Sequence, residues 1–227
     1  PQANNTDELW SLLMREQTTI TDLNDEQILR TGVPESTLNS PNHVRKAGVL
    51  DDLDKFDSHY FEISAREADV LDVQQRMMLQ TAVHLLNQAN IDPQRCAQRI
   101  GVFAGSGFSS YLFGVLERTD LVDALGEMIV RHSNDKDFLC PRISYKLNLK
   151  GPSVNVQTAC STGLVAVHTA CQSLLLHECE MAIAGAAYIR VPQETGYLHQ
   201  ADSVLSSDGI CRPFDSNSDG IIFTNGL

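Results

Sequence analysis

The sequence predicts an α/β fold, with a parallel or mixed sheet covered by helices on both faces. Two observations predict it. Short, largely apolar stretches occur at "IGVFAGSG" (100–107) and "CEMAIAGAA" (179–187). Stretches of helical periodicity alternate with them along the chain. A strand that is apolar on both sides needs cover on both sides, which is the layering of α/β folds.

Taken in order, residues 6–15 ("TDELWSLLMR") predict a short helix capped by Thr6 or Asp7. Residues 50–65 mix acids with aromatics and predict an irregular, partly buried loop. From Glu67 to Gln88, Ala68, Leu71, Met78, Leu79, Ala82, Leu85 and Leu86 return at helical spacing. Ile100–Gly107 predicts a buried strand ending in a glycine turn. Gly105 and Gly107 are read as places where another backbone passes close by. A helix is expected from Pro141, since proline suits a first turn. "SVNVQT" (153–158) is a second short strand, and 161–175 a helix whose stripe of Leu164, Val167, Cys171 and Leu174 predicts packing. That stripe accounts for Cys171 as a core residue. "DGIIFTNGL" (219–227) predicts a further apolar strand. A strand reaching Leu227, and the abrupt "PQANN" at the start, lead to the expectation that residues 1–227 belong to a larger fold.

Composition narrows the function. The chain has 227 residues and a formal net charge of −12. Such a surface repels nucleic-acid backbones. No apolar run reaches the ~20 residues of a membrane span, and the polar, acidic N-terminus does not suit a secretory signal. Six cysteines occur without C-x-x-C spacing, which argues against a zinc or redox site. Reduced thiols in the cytoplasm are the expectation. Arg131, Lys136, Arg142, Lys146 and Lys150 cluster within one short stretch. They read either as a solvated helix face or as a docking patch for an acidic partner.

"VNVQTACSTGLVAVHTACQSL" (154–174) holds the candidate for chemistry. Gln157, Thr158 and Ala159 form the turn from strand to helix, and Cys160 opens the helix. A thiol there lies near unpaired N–H groups and the positive end of the helix dipole. Both favour the nucleophilic thiolate, and the same N–H groups suit an oxyanion. Spacing alone equally allows a small thiol packed into a tight turn. A hydrolase elbow needs glycine two residues either side of the nucleophile, where this chain has Thr158 and Thr162. A dinucleotide fingerprint fails as well, because Ser110 stands where its third glycine belongs.

This segment resembles the active-site segment of β-ketoacyl synthases, especially the ketosynthase domains of modular polyketide synthases. "FDSHYFEISAREADVLDVQQRMMLQ", "GVFAGSGFSSYL", "NDKDFLCPRISYKLNLKGPSVNVQTACS" and "LSSDGICRPFDSNSDGIIFTNG" match in order and spacing. Together they span nearly the whole chain. The resemblance implies a thiolase-like fold (layered αβαβα), with residues 1–227 as the N-terminal part of one ketosynthase domain. It implies Cys160 as the nucleophile of acyl transfer and decarboxylative Claisen condensation. It also implies substrates carried on the phosphopantetheine arm of an acyl carrier protein, no directly bound cofactor and no metal. A homodimer within a synthase assembly line is the implied setting.

Phe138 and Leu139 are expected to line the acyl tunnel or the subunit contact. "SVNVQT" is expected to pair with its copy across a twofold axis. Two departures stand out: Val73 where the family often has proline, and Gly163 where it often has serine. Gly163 is read as widening the pocket, at a helix-propensity cost of up to ~1 kcal/mol. The family's two catalytic histidines, its lysine and a Phe backbone N–H of the oxyanion hole belong to its second half, outside residues 1–227. His168 is read as a packing or surface residue rather than a base. A non-elongating acyl-transfer domain and a structural half of a split ketosynthase are the alternative readings.

Overall fold

The computed structural model describes residues 1–227 in two compact units, residues 1–52 with 190–226, and residues 53–189. In the first, α1 (Thr6–Met14) precedes β1 (Thr21–Asp22), α2 (Asp25–Arg30), α3 (Glu35–Leu38), β2 (His43–Val44) and β3 (Lys46–Ala47). In the second follow α4 (Ala65–Ala68), α5 (Val73–Gln88), β4 (Ile100–Ser106), α6 (Tyr111–Leu116), α7 (Thr119–Leu125), α8 (Glu127–Asn134), α9 (Leu139–Lys146), β5 (Ser153–Asn155), α10 (Thr162–Leu175) and β6 (Met181–Ala187). Then β7 (Tyr197–Leu198) belongs again to the first.

In the first unit β1 pairs antiparallel with β3, and β2 with β7. Leu23, Ile28, Leu38 and Ala47 form its core. The cap of α1 is Asn5, not Thr6 or Asp7: Asn5 Oδ1 accepts from Glu8 N–H at 2.9 Å. An asparagine side chain satisfies a first-turn donor as well as the two expected residues would. The expected strand at 219–227 does not form. Ile221 makes only an isolated parallel bridge to Leu205. Side chains take the place of a ladder there. Asp219 accepts from the Ser206 hydroxyl at 2.9 Å and the Ser207 N–H at 3.0 Å, and Asn225 bonds both backbone groups of Arg190.

The second unit carries the α/β architecture. A parallel sheet has the order β5-β4-β6, with Phe103 opposite Val154 on one side and Ala184 on the other. Strand β4 is buried along its whole length. Its residues alternate between two cores, as period-2 geometry requires. Ile100, Val102 and Ala104 face Leu79, Ala82, Leu139 and Ile143 of α5 and α9. Phe103 faces Ala166 and Ala170 of α10. The sheet is therefore covered on both sides.

Two expectations differ in detail. The helix foreseen over 67–88 is broken between α4 and α5, because Asp72 leaves helical backbone, with ψ at 134°, and its N–H bonds Ser133 C=O at 2.9 Å. The helix foreseen from Pro141 starts at Leu139, which still places proline in the first turn, where its missing N–H costs nothing. Helices α6 to α8 had no sequence expectation.

The apolar stripe of α10 is the larger correction. Leu164 is 80% exposed, and Val167 and Cys171 are also exposed. The face against the sheet is Thr162, Ala166, Ala170 and Ser173. Small side chains let the helix approach the Ala- and Gly-rich β6, so Leu164, Val167 and Cys171 are turned away from it, while Leu174 packs against the core as expected. Hydrophobic periodicity found a stripe but could not tell which face meets the sheet.

Candidate active site

Cys160 lies just beyond the C-terminal end of β5, the end of a parallel sheet where sites gather. Residues 159–161 form one 3-10 turn, which runs directly into α10. Cys160 is exposed. Ala159 before it has φ +53°, the left-handed region. For a residue with a Cβ this costs roughly 1–2 kcal/mol, so surrounding contacts must enforce it.

Those contacts come from threonine and serine. Thr162 Oγ1 accepts from Thr158 N–H at 3.0 Å and donates to Ala159 C=O at 2.8 Å. Ser161 Oγ donates to Thr158 C=O at 2.8 Å. Gln157 joins the turn to β4: in the amide orientation that satisfies both groups, it accepts from Ser106 N–H at 3.2 Å and donates to Ser106 C=O at 3.1 Å. One side chain thus adds a rung to the β4–β5 ladder. Gly105 fits its sequence reading. A Cβ there would lie 1.9 Å from Val156 C=O and 2.6 Å from the Thr162 methyl.

Gln74, fully buried on α5, ties the ends of the other two strands together. Its Oε1 accepts from Gly107 N–H at 2.9 Å and Ile189 N–H at 3.2 Å, while its Nε2 donates to Gly107 C=O and Asp72. The C-terminal ends of β4 and β6 are therefore joined by hydrogen bonds that no local motif announces. The run of polar residues Gln74, Gln75 and Arg76 at the start of a helix that is otherwise apolar on its buried side was the one available signal.

The segment at 136–140 meets β5. Asn155 Oδ1 accepts from Cys140 N–H at 3.1 Å, and Asn155 Nδ2 donates to Asp137 C=O at 2.5 Å. Phe138 is half-buried, its ring centroid 4.2 Å from that of His132. Leu139 is fully buried in the core shared by α5, α9 and β4, so its side chain lines no open surface. A Cβ at Gly163 would make ordinary van der Waals contact with Ala186 Cβ of β6, at 3.8 Å. His168 is exposed on α10.

The cationic cluster does not form one patch. Arg142 is largely buried and pairs with Glu67 at 3.3 Å, with further bonds to Gln75 Oε1 and His132 C=O. Burial lowers its pKa, against the pull of Glu67. Lys146 donates to Glu62 C=O at 3.0 Å, and Arg131 pairs with Asp135 at 3.8 Å. Arg142 serves the fold, and it leaves the docking reading.

A family model described as the β-ketoacyl synthase N-terminal domain matches residues 1–227. The chain belongs to the β-ketoacyl synthase family. Among curated relatives of this ketosynthase segment, one polypeptide of the phenolphthiocerol/phthiocerol polyketide synthase of Mycobacterium tuberculosis is 42% identical over 234 residues. That match spans 100% of this chain and 16% of the relative. Another polypeptide of the same synthase is 36% identical, spanning 96% and 12%. Among solved structures, ketosynthase twelve of the bacillaene polyketide synthase of Bacillus amyloliquefaciens has a TM-score of 0.86 at 27% identity, covering 97% of this chain and 38% of that one. The oxazolomycin ketosynthase domain of Streptomyces albus has a TM-score of 0.75 at 27% identity, covering 97% and 38%. The thiolase-like fold expectation holds, and the segment spans a minor part of each relative. No helix is long and apolar enough to cross a membrane.

Proposed function

We propose that this segment carries the acyl-accepting nucleophile of a polyketide condensing enzyme, with Cys160 in that role. The observation that supports it is an exposed thiol on a left-handed turn at the start of α10, beyond the C-terminal end of β5. In the first stage the Cys160 thiolate attacks an acyl thioester on the phosphopantetheine arm of an acyl carrier protein. The carrier thiol leaves, and the acyl group is held as a Cys160 thioester. The Cys160 backbone N–H is a donor for the oxyanion of that step. In the second stage a carrier-bound malonyl-type extender loses CO₂. Its enolate attacks the Cys160 thioester, a carbon–carbon bond forms, and Cys160 is released.

Three further assignments belong to this reading. Phe138, beside β5, lines the acyl tunnel or the subunit contact, and Leu139 supports it from the core. Gly163 leaves room near the thiol. β5 pairs with its copy in a homodimer, since it is an edge strand of its sheet and exposes Ser153 and Val154. The reduced cysteines suit a cytoplasmic assembly line.

The test is intact-mass analysis of the native polypeptide after incubation with an acyl thioester. One acyl adduct mapping to Cys160, absent in Cys160→Ala, is expected. An adduct elsewhere, or none, overturns the reading. For Phe138→Ala, an unchanged acyl-length preference and an unchanged dimer would remove that residue from the site.

A further inference from the structure

Thr162 does more at this turn than open a helix. Its hydroxyl brackets Ala159, taking the N–H of the preceding residue and giving its proton to Ala159 C=O, at 3.0 and 2.8 Å. Ala159 is the one residue between Asn148 and His177 with positive φ. The Thr162 side chain is itself held. The residue is only 7% exposed, and its methyl sits in the slot that Gly105 leaves by lacking a Cβ. A β-branched side chain fixed on the methyl side has its hydroxyl direction fixed too. Ser161 is exposed and bonds only to Thr158, so it does not bracket Ala159.

We infer that Thr162 is the positioning residue that aims the Cys160 thiol, by clamping Ala159 in its left-handed conformation through one hydroxyl anchored on Gly105. This rests on the reading of Cys160 as nucleophile. Thr162 does not touch the substrate. It determines where the thiol stands when an acyl carbonyl arrives. Attack on a carbonyl depends steeply on placement, and a shift of about 1 Å can cost 10²-fold. A small, freely diffusing alkylating reagent is far less demanding.

The native polypeptide is compared with Thr162→Val, which keeps the shape and loses the hydroxyl, and Thr162→Ser, which keeps the hydroxyl. Single-turnover acylation of Cys160 is measured over a range of acyl N-acetylcysteamine thioester concentrations, alongside Cys160 alkylation by iodoacetamide. For Thr162→Val the maximal acylation rate is expected to fall about 10- to 100-fold. The half-saturating concentration and the alkylation rate stay within about threefold, as mis-aiming rather than unfolding requires. Thr162→Ser recovers most of the rate. Adding Ala159→Gly to Thr162→Val recovers part of it, because glycine takes the left-handed region freely. Thr162→Val acylating like the unsubstituted protein, or Thr162→Ser failing equally, overturns the inference alone. No adduct on Cys160 of the unsubstituted protein overturns the nucleophile reading, and the inference with it.

Discussion

Cys140 and Cys160 flank the same short strand and share one functional group, yet their surroundings are opposite. Cys140, in the first turn of α9, is fully buried. Its sulfur accepts from Ala104 N–H at 3.2 Å and lies 3.2 Å from Val154 C=O. Burial pushes its pKa up to about 12, outweighing the backbone hydrogen bond from Ala104. It is a protonated packing group that joins α9 to β4 and β5. Cys160 stands exposed at the start of α10. The difference teaches that a cysteine near a helix N-terminus is not thereby reactive. At Cys140 desolvation keeps the thiol protonated, whatever its place in the helix.

The contrast can be broken most sharply at Cys160. Cys160→Ala is expected to lower acyl transfer by at least about 10³-fold while shifting stability by no more than about 0.5 kcal/mol. Rates from the native polypeptide and a urea melt check both. At the other thiol, Leu139→Ala beside Cys140 is expected to cost about 2–5 kcal/mol by opening a cavity. An unchanged urea midpoint would contradict its placement in the core.

The buried thiol also predicts a pH dependence. Its folded pKa of about 12 lies above the ordinary value of 9.0. Between these values the unfolded chain has lost a proton that the folded chain keeps. Stability therefore falls as pH rises above 9, by roughly 1.4 kcal/mol at pH 10, and is unaffected by this group below pH 9. Urea midpoints at pH 7.5 and 10 measure the loss, and Cys140→Ala should abolish this component. The smallest effect is one of labelling. Brief iodoacetamide treatment of the folded protein should mark Cys160, Cys171 and Cys211 and spare Cys140 and Cys179, as peptide mapping would report.

Much of the fold was legible. β4 is short and apolar on both sides, so its burial between helices follows from composition, whereas β6, also expected to be buried, is half-buried apart from Ile183 and Ala187. The strand–turn–helix around Cys160 was legible because its apolar residues change period there. Gly105 was readable as a close approach because glycine removes a Cβ. Cys171 was misplaced because α10 has two faces able to pack, and only contact with β6 selects the smaller one. Arg142 was misread as surface because its partners, Glu67, Gln75 and His132, are distant in sequence or uninformative by type.

The sequence by itself determined the layered α/β class, the family and the position of one thiol at a strand-to-helix turn. These depend on local periodicity and on contiguous motifs, which survive without coordinates. Only the tertiary structure decided which cysteine is desolvated, which face of α10 meets the sheet, and that Thr162, Gln157 and Gln74 hold the turn and the strand ends. Each of those depends on groups brought together across the chain, where burial and hydrogen-bond satisfaction are properties of the assembled neighbourhood rather than of any segment.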